Sequence, residues 1–176
     1  MTGPTLAQQR KVLGKTAIQR RIGELGRQIT QDYHGRRLVL LGVLNGAFIF
    51  AADLCRAIEL DLEIDFIRVA SYGMGTESSG VVRLTKEPEI DLRGKDVLLV
   101  EDIVDTGATM AWLQDHFRSS GAASVRICSL IDKRERRTEA IEVEYAGFAL
   151  DRGFLVGYGL DHDERYRNLP AIYTLE

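Results

Sequence analysis

Apolar residues recur along this chain in two rhythms. Ile18, Ile22, Leu25 and Ile29 return every three or four positions, which predicts an amphipathic helix ending near Tyr33. Thr16 is placed to cap it, with Gln19 completing a capping box, and Gly35 is placed to stop it. Arg20, Arg21, Glu24 and Arg27 fall between the apolar positions and read as a solvated face. The second rhythm is the short unbroken apolar run. Residues 97–100 read as a strand buried on both faces of a parallel sheet, residues 38–43 and 125–131 as further buried strands, and 62–69, though broken by Glu63, Asp65 and Arg68, as a second strand that completes a βαβ unit. Residues 48–58 and 110–119 read as helices between them, giving βαβ units with right-handed crossovers. Residues 81–86 alternate as an edge strand would. Stretches 142–150 and 154–158 look like further short strands, and 1–14 carry little pattern beyond Lys11-Val12-Leu13. The expectation is an α/β fold with a mainly parallel sheet flanked by helices.

A chain of 176 residues fits one domain, 1–176, with a full core. The formal net charge of −3 counts against a general nucleic-acid binder. Cys55 and Cys128 both lie in apolar segments, so they read as small buried residues with no disulfide framework. No apolar run reaches membrane-spanning length and no signal-peptide core is visible, so a cytoplasmic protein is expected.

Chemistry concentrates in one stretch. The apolar run 97–100 leads into Glu101, Asp102, Ile103 and Val104. Asp105, Thr106, Gly107, Ala108 and Thr109 follow, and then the helix. Acids, hydroxyls and a glycine thus sit where a strand ends and a helix begins, the edge at which open α/β sheets bind ligands. Gly107 admits backbone conformations closed to other residues, so a tight loop can wrap a ligand. Amides beside a helix N-terminus suit a phosphate, with Thr106 and Thr109 adding hydroxyl donors. Glu101 and Asp102 would repel that phosphate, and suit sugar hydroxyls or a divalent metal instead. Asp105, nearer the loop, can serve as a general base. The same residues taken singly make an acidic surface turn with an N-cap. Residues 70–80 form the other conspicuous loop, rich in Gly, Ser and Thr; such loops in compact domains are functional or disordered.

The whole string resembles the phosphoribosyl-diphosphate (PRPP) motif of the type I phosphoribosyltransferases. The Asp at position 105 is similar to that of the hypoxanthine-guanine and xanthine-guanine branch. The resemblance runs from about Val12 to Tyr173. It implies a small hood built from the N- and C-terminal segments. It also implies transfer of the phosphoribosyl group of PRPP to hypoxanthine, with guanine expected as a second base, giving the nucleoside monophosphate and pyrophosphate. By resemblance, loop 105–109 holds the 5′-phosphate and Asp105 manages the purine N7 proton. Glu101 and Asp102 orient the ribose hydroxyls and Mg²⁺. Lys133 reaches the exocyclic oxygen of a 6-oxopurine, Phe154 stacks on the base, and the Leu155 backbone reads its edge. Asp161 helps hold a second Mg²⁺, and Arg167 contacts pyrophosphate. Leu44-Asn45-Gly46 matches a pyrophosphate-binding loop whose middle residue is often basic; with Asn45 there, only the backbone contact carries over. Ser71-Tyr72 opens a flexible loop, about 70–83, that closes over the site and excludes water. The residue before that pair is basic in some relatives and is Ala70 here. The partners implied are small molecules and further copies of the chain, as a dimer or tetramer. Competing readings are a xanthine-preferring enzyme and a PRPP-sensing RNA-binding regulator of the same fold. The acidic net charge and Asp105 count against the latter.

Overall fold

The computed structural model describes residues 9–72, 81–151 and 153–175. Its elements in chain order are β1 (Gln9–Leu13), α1 (Lys15–Asp32), β2 (Leu38–Leu44), α2 (Phe48–Ala57), β3 (Glu63–Tyr72), β4 (Val81–Lys86), β5 (Asp96–Val104), α3 (Ala108–Ser119), β6 (Ser124–Asp132), β7 (Tyr145–Ala149), β8 (Phe154–Val156) and β9 (Ile172–Leu175).

Unbroken apolar runs become strands covered on both sides. Six strands form one sheet in the order β4-β3-β2-β5-β6-β7, all parallel except β4 against β3. Because side chains alternate across a strand, each run feeds two cores. Leu38, Leu40, Leu98, Val100, Cys128 and Leu130 pack with α1 and α2. Val39, Leu41, Val97, Leu99, Val125 and Ile127 pack with Met110, Leu113 and Phe117 of α3. Leu98 is 0% exposed in the central strand. Leu98→Ala should therefore cost about 2–5 kcal/mol in denaturant unfolding, by lost transfer energy plus a cavity; a cost near zero would mean that this core is loosely packed.

A second sheet, β1-β9-β8, is antiparallel and joins the two terminal segments of the described chain. Leu155, Tyr158, Leu160 and Ile172 connect it to the α1 and α2 side of the core. The topology also fixes where a ligand can go. From β2 the chain crosses by α2 to β3 on one side; from β5 it crosses by α3 to β6 on the other. The strand order reverses between β2 and β5, and their C-terminal ends open a crevice there.

Several local expectations change. Gly14, not Thr16, is the N-cap of α1, with no side-chain cap bond. β1 runs straight to Leu13, so the chain turns at once, and Ile18 N closes the first turn on Gly14 O at 3.1 Å. Arg21 is not simply solvated. It donates to Gly147 O at 3.0 Å and Ala146 O at 2.8 Å, covering carbonyls of the edge strand β7. Cys128 is buried as expected, but Cys55 is half-buried. The edge strand expected over 81–86 forms as β4, and residues 70–72, placed in a loop by the sequence, pair with it as strand; the stretch between them, 73–80, lies outside the described residues. Helix α3 starts two residues early, at Ala108, because Gly107 already serves as its N-cap. β9 had no counterpart in the sequence reading.

Candidate active site

The crevice is built from three loops and the end of β5. That strand delivers Glu101 and Asp102 just before its last paired residues. Asp102 is 8% exposed. Its Oδ1 accepts from the Ile103 amide at 2.7 Å, and its own amide donates to Glu101 Oε1 at 3.1 Å. Burial, then the neighbouring Asp102 charge, pushes the Glu101 carboxyl well above its usual range. Asp102 is also raised by burial, against the pull of its hydrogen bonds and of Arg167. Two adjacent carboxyls out of water favour sharing a proton until cations or hydroxyls reach them.

The loop after β2 lies directly against this pair. A Cβ on Gly46 would collide with the Asp102 carboxylate, so only glycine leaves room. The Leu44–Asn45 peptide is cis. The Asn45 side chain turns to β3, where its Oδ1 accepts from Arg68 Nη2 at 3.0 Å. Arg68 thus brings a guanidinium to this loop, which the sequence reading missed.

The loop after β5 gathers backbone amides at the start of α3. Gly107 has φ +87° and caps α3, whose first amides have no intrahelical acceptor. Glu101, Asp105, Thr106, Gly107 and Thr109 line one cavity of about 170 Å³. Leu44, Asn45, Gly46, Glu101, Asp102, Thr109, Asp161 and Arg167 line a second of about 310 Å³. Glu101 and Thr109 belong to both, so the cavities adjoin. Among the described residues, Asp105 Oδ1 is buried without a hydrogen-bond partner, while Oδ2 pairs with Arg136 at 3.4 Å. An acceptor left open inside a protein is costly unless something arrives to donate to it.

Lys133 follows β6, the neighbour of β5. Its Nζ donates to Gly153 O at 3.3 Å, which places it beside Phe154. Phe154 is 53% exposed at the start of β8, with the His162 ring edge-on to it, centroids 5.4 Å apart. Leu155 turns its side chain into the core. Since β8 is an edge strand, the outer side of its backbone has no ladder partner. Asp161 Oδ1 pairs with Arg167 at 2.9 Å, and Arg167 also donates to Gly159 O at 2.7 Å. Ser71 and Tyr72 end β3 opposite Val82 and Val81.

Most of the predicted site residues therefore converge on one edge. Sequence reasoning missed Asp132 and Arg137, which stand behind the phosphate loop. The charged turn Asp132-Lys133-Arg134 reads from sequence as solvated, and its only signal was an acid directly after a buried strand. Among the described residues, no three His, Cys, Asp or Glu side chains form a ready metal cluster. The donor set here is carboxylate oxygen, which suits a hard cation that completes its shell with ligand oxygens.

An amide-rich loop at a strand switch point, an adjacent pair of acids and an exposed aromatic beside a lysine share one edge of the sheet. Residues 9–163 match the model of the phosphoribosyl transferase domain. The chain belongs to the phosphoribosyltransferase family. It is 47% identical over 165 residues to a hypoxanthine-guanine phosphoribosyltransferase of Mycobacterium avium, covering 90% of this chain and 81% of that one. It is 45% identical over 168 residues to the bifunctional protein TilS/HprT of Listeria innocua, covering 96% of this chain. The match spans only 26% of that longer protein. The crystal structure of a hypoxanthine phosphoribosyltransferase from Staphylococcus aureus superposes with a TM-score of 0.92 at 43% identity, over 95% of this chain and 91% of that one.

Proposed function

We propose that this protein transfers the 5-phosphoribosyl group of PRPP to hypoxanthine, and to guanine as a second base, releasing pyrophosphate. The observation that carries this reading is the buried Oδ1 of Asp105 at the end of β5, which has no hydrogen-bond partner among the described residues. Lys133 and Phe154 stand together at the end of the neighbouring strand. N7 and O6 are neighbours on one edge of a 6-oxopurine, and that edge asks for an acceptor and a donor side by side. Adenine presents an amino group where Lys133 would need an acceptor. The relatives' names point to the same bases.

In the reaction, N9 of the base bonds to the anomeric carbon as the bond from that carbon to pyrophosphate breaks, its electron pair leaving with pyrophosphate. The N7 proton passes to the Asp105 carboxylate. Loop amides 106–109 and the Thr106 and Thr109 hydroxyls bind the 5′-phosphate. Glu101 and Asp102 accept from the ribose hydroxyls. The backbone of Leu44-Asn45-Gly46 and the Arg167 guanidinium hold pyrophosphate. Phe154 stacks on the base, and the Leu155 backbone reads its far edge. Glu101, Asp102 and Asp161 are the residues that would hold Mg²⁺, which when bound neutralises pyrophosphate charge.

Among the described residues no helix is long and apolar enough to cross a membrane; a cytoplasmic location and a homo-oligomer belong to this reading. The test is product formation from PRPP with hypoxanthine, guanine, xanthine and adenine offered separately. Hypoxanthine should turn over and adenine should not. A chelator should stop the reaction and added Mg²⁺ restore it. No turnover with any base would sink the reading.

A further inference from the structure

We infer that Arg137 is the positioning residue that sets Asp105 for proton handling, by tying the phosphate loop to the turn that carries Lys133. The inference rests on the phosphoribosyl-transfer reading above. Its observations are separate from the substrate-facing residues. Arg137 lies behind the loop, yet its guanidinium reaches the ends of two adjacent strands. Nε donates to Asp105 O at 2.9 Å, and Nη2 to Val104 O at 3.2 Å, both at the end of β5. Nη2 also donates to Lys133 O at 3.0 Å, at the end of β6. The charge is matched by Asp132, whose Oδ1 accepts from the same Nη2. Asp132 is 1% exposed, and its other oxygen accepts from Arg134 Nε at 2.8 Å.

Val104 O still accepts from the Lys133 amide at 2.9 Å, but the Asp105 and Lys133 carbonyls lie past the last paired residues, where carbonyls ordinarily turn to water. Here one side chain gathers them instead. Fixing the Asp105 carbonyl fixes the peptide plane that follows it, and so limits the directions open to the Asp105 side chain and the Thr106 amide. The next turn reinforces the hold: Thr138 N and Glu139 N donate to Thr106 O at 3.0 and 3.2 Å. Gly107 closes against the same side chain, since a Cβ there would meet Arg137 Cδ at 3.0 Å and Ile141 Cδ1 at 2.9 Å.

The geometry matters because Asp105 and Lys133 must address two neighbouring atoms of one rigid base. Their spacing is a property of how β5 and β6 end, and Arg137 binds both ends at once. A planar fork with fixed donor directions can do this; a lysine ammonium, a single point charge on a flexible stem, cannot span the same acceptors. Arg137 touches no substrate in this scheme and acts only through residues 104, 105 and 133.

The test is a double-mutant cycle on the full chain, Arg137→Lys with Asp105→Asn, measuring kcat with hypoxanthine and PRPP. Arg137→Lys keeps a cation beside Asp132 and should fold. A displacement on the order of 1 Å at the reacting groups can cost about 10²-fold. We expect Arg137→Lys to lose at least tenfold in kcat. Asp105→Asn should then cost at least tenfold less in the Arg137→Lys background than in the wild type, because a misplaced Asp105 has little left to lose. A purely structural Arg137 would leave the Asp105→Asn penalty unchanged, and losses that simply multiply would overturn the proposal. Should Arg137→Lys not fold, Arg137→Gln with Asp132→Asn removes the buried pair together and runs the same cycle. No turnover in the wild type would overturn the phosphoribosyl-transfer reading and this proposal with it. An active wild type with independent losses would overturn the positioning role alone.

Discussion

Asp105→Asn is expected to leave PRPP binding intact and to lower hypoxanthine turnover by about 10²–10⁴-fold, the usual worth of general acid–base help. Binding should survive because the 5′-phosphate contacts come from loop amides and threonine hydroxyls, and Asn preserves the shape of the side chain. Turnover should fall because an amide can accept a hydrogen bond at N7 but cannot take the proton. The unpaired Oδ1 supports this expectation: among the described residues nothing donates to that buried oxygen, and a base that reaches it would supply the missing donor. Oδ2 is occupied by Arg136, itself largely exposed, and that pair is screened and weak. PRPP affinity by calorimetry and kcat by product formation separate the two effects. Near-normal turnover would remove Asp105 from the chemistry.

What was legible in the sequence was whatever depends on local pattern. The runs 38–43 and 97–100 had to be buried strands, because no polar residue interrupts them, and 125–131 followed them with only Arg126 and Ser129 breaking its apolar character. The stretch from Glu101 to Thr109 announced a strand end, a loop and a helix start within nine residues. What was not legible depends on contacts between distant segments. Arg21 looked solvated because its acceptors, Ala146 and Gly147, lie more than a hundred positions away. Arg137 sat in a run of charges that any exposed turn might carry, and only the fold shows which one turns inward. β9 is short and pairs with β1 across the whole chain length, so its four residues carry no signal of their own. Asn45 shows the same limit from the other side. The sequence displayed the lost basic residue but not Arg68, which the parallel pairing of β2 with β3 brings beside it.

The second large effect is expected at a residue with no side chain. Gly46→Ala should lower kcat/KM for PRPP by about 10²-fold or more, the scale set by an ångström's displacement in a reacting geometry. Gly46 does not have a left-handed backbone, so the constraint is space and not conformation. The added methyl group would run into the Asp102 carboxylate. That carboxylate cannot swing aside cheaply, because it is buried and its Oδ1 holds the Ile103 amide at 2.7 Å. Nor can the loop retreat on its other side, where the Gly46 carbonyl already lies so close to Gly159 that a Cβ there would strike it. The loop is held between β5 and the segment that carries Asp161 and Arg167. One methyl group therefore disturbs the sites assigned to the ribose hydroxyls and to pyrophosphate together. Lys133, Phe154 and Leu155, the residues proposed for the base, are not among the atoms that a methyl group on Gly46 would meet, so discrimination of hypoxanthine over adenine should be kept. Stability should fall by about 1–3 kcal/mol, the usual cost of overpacking. Steady-state kinetics varying PRPP, with both bases compared, checks the split. Wild-type kcat/KM for PRPP in a folded Gly46→Ala enzyme would mean that this loop has slack and does not set the pyrophosphate geometry.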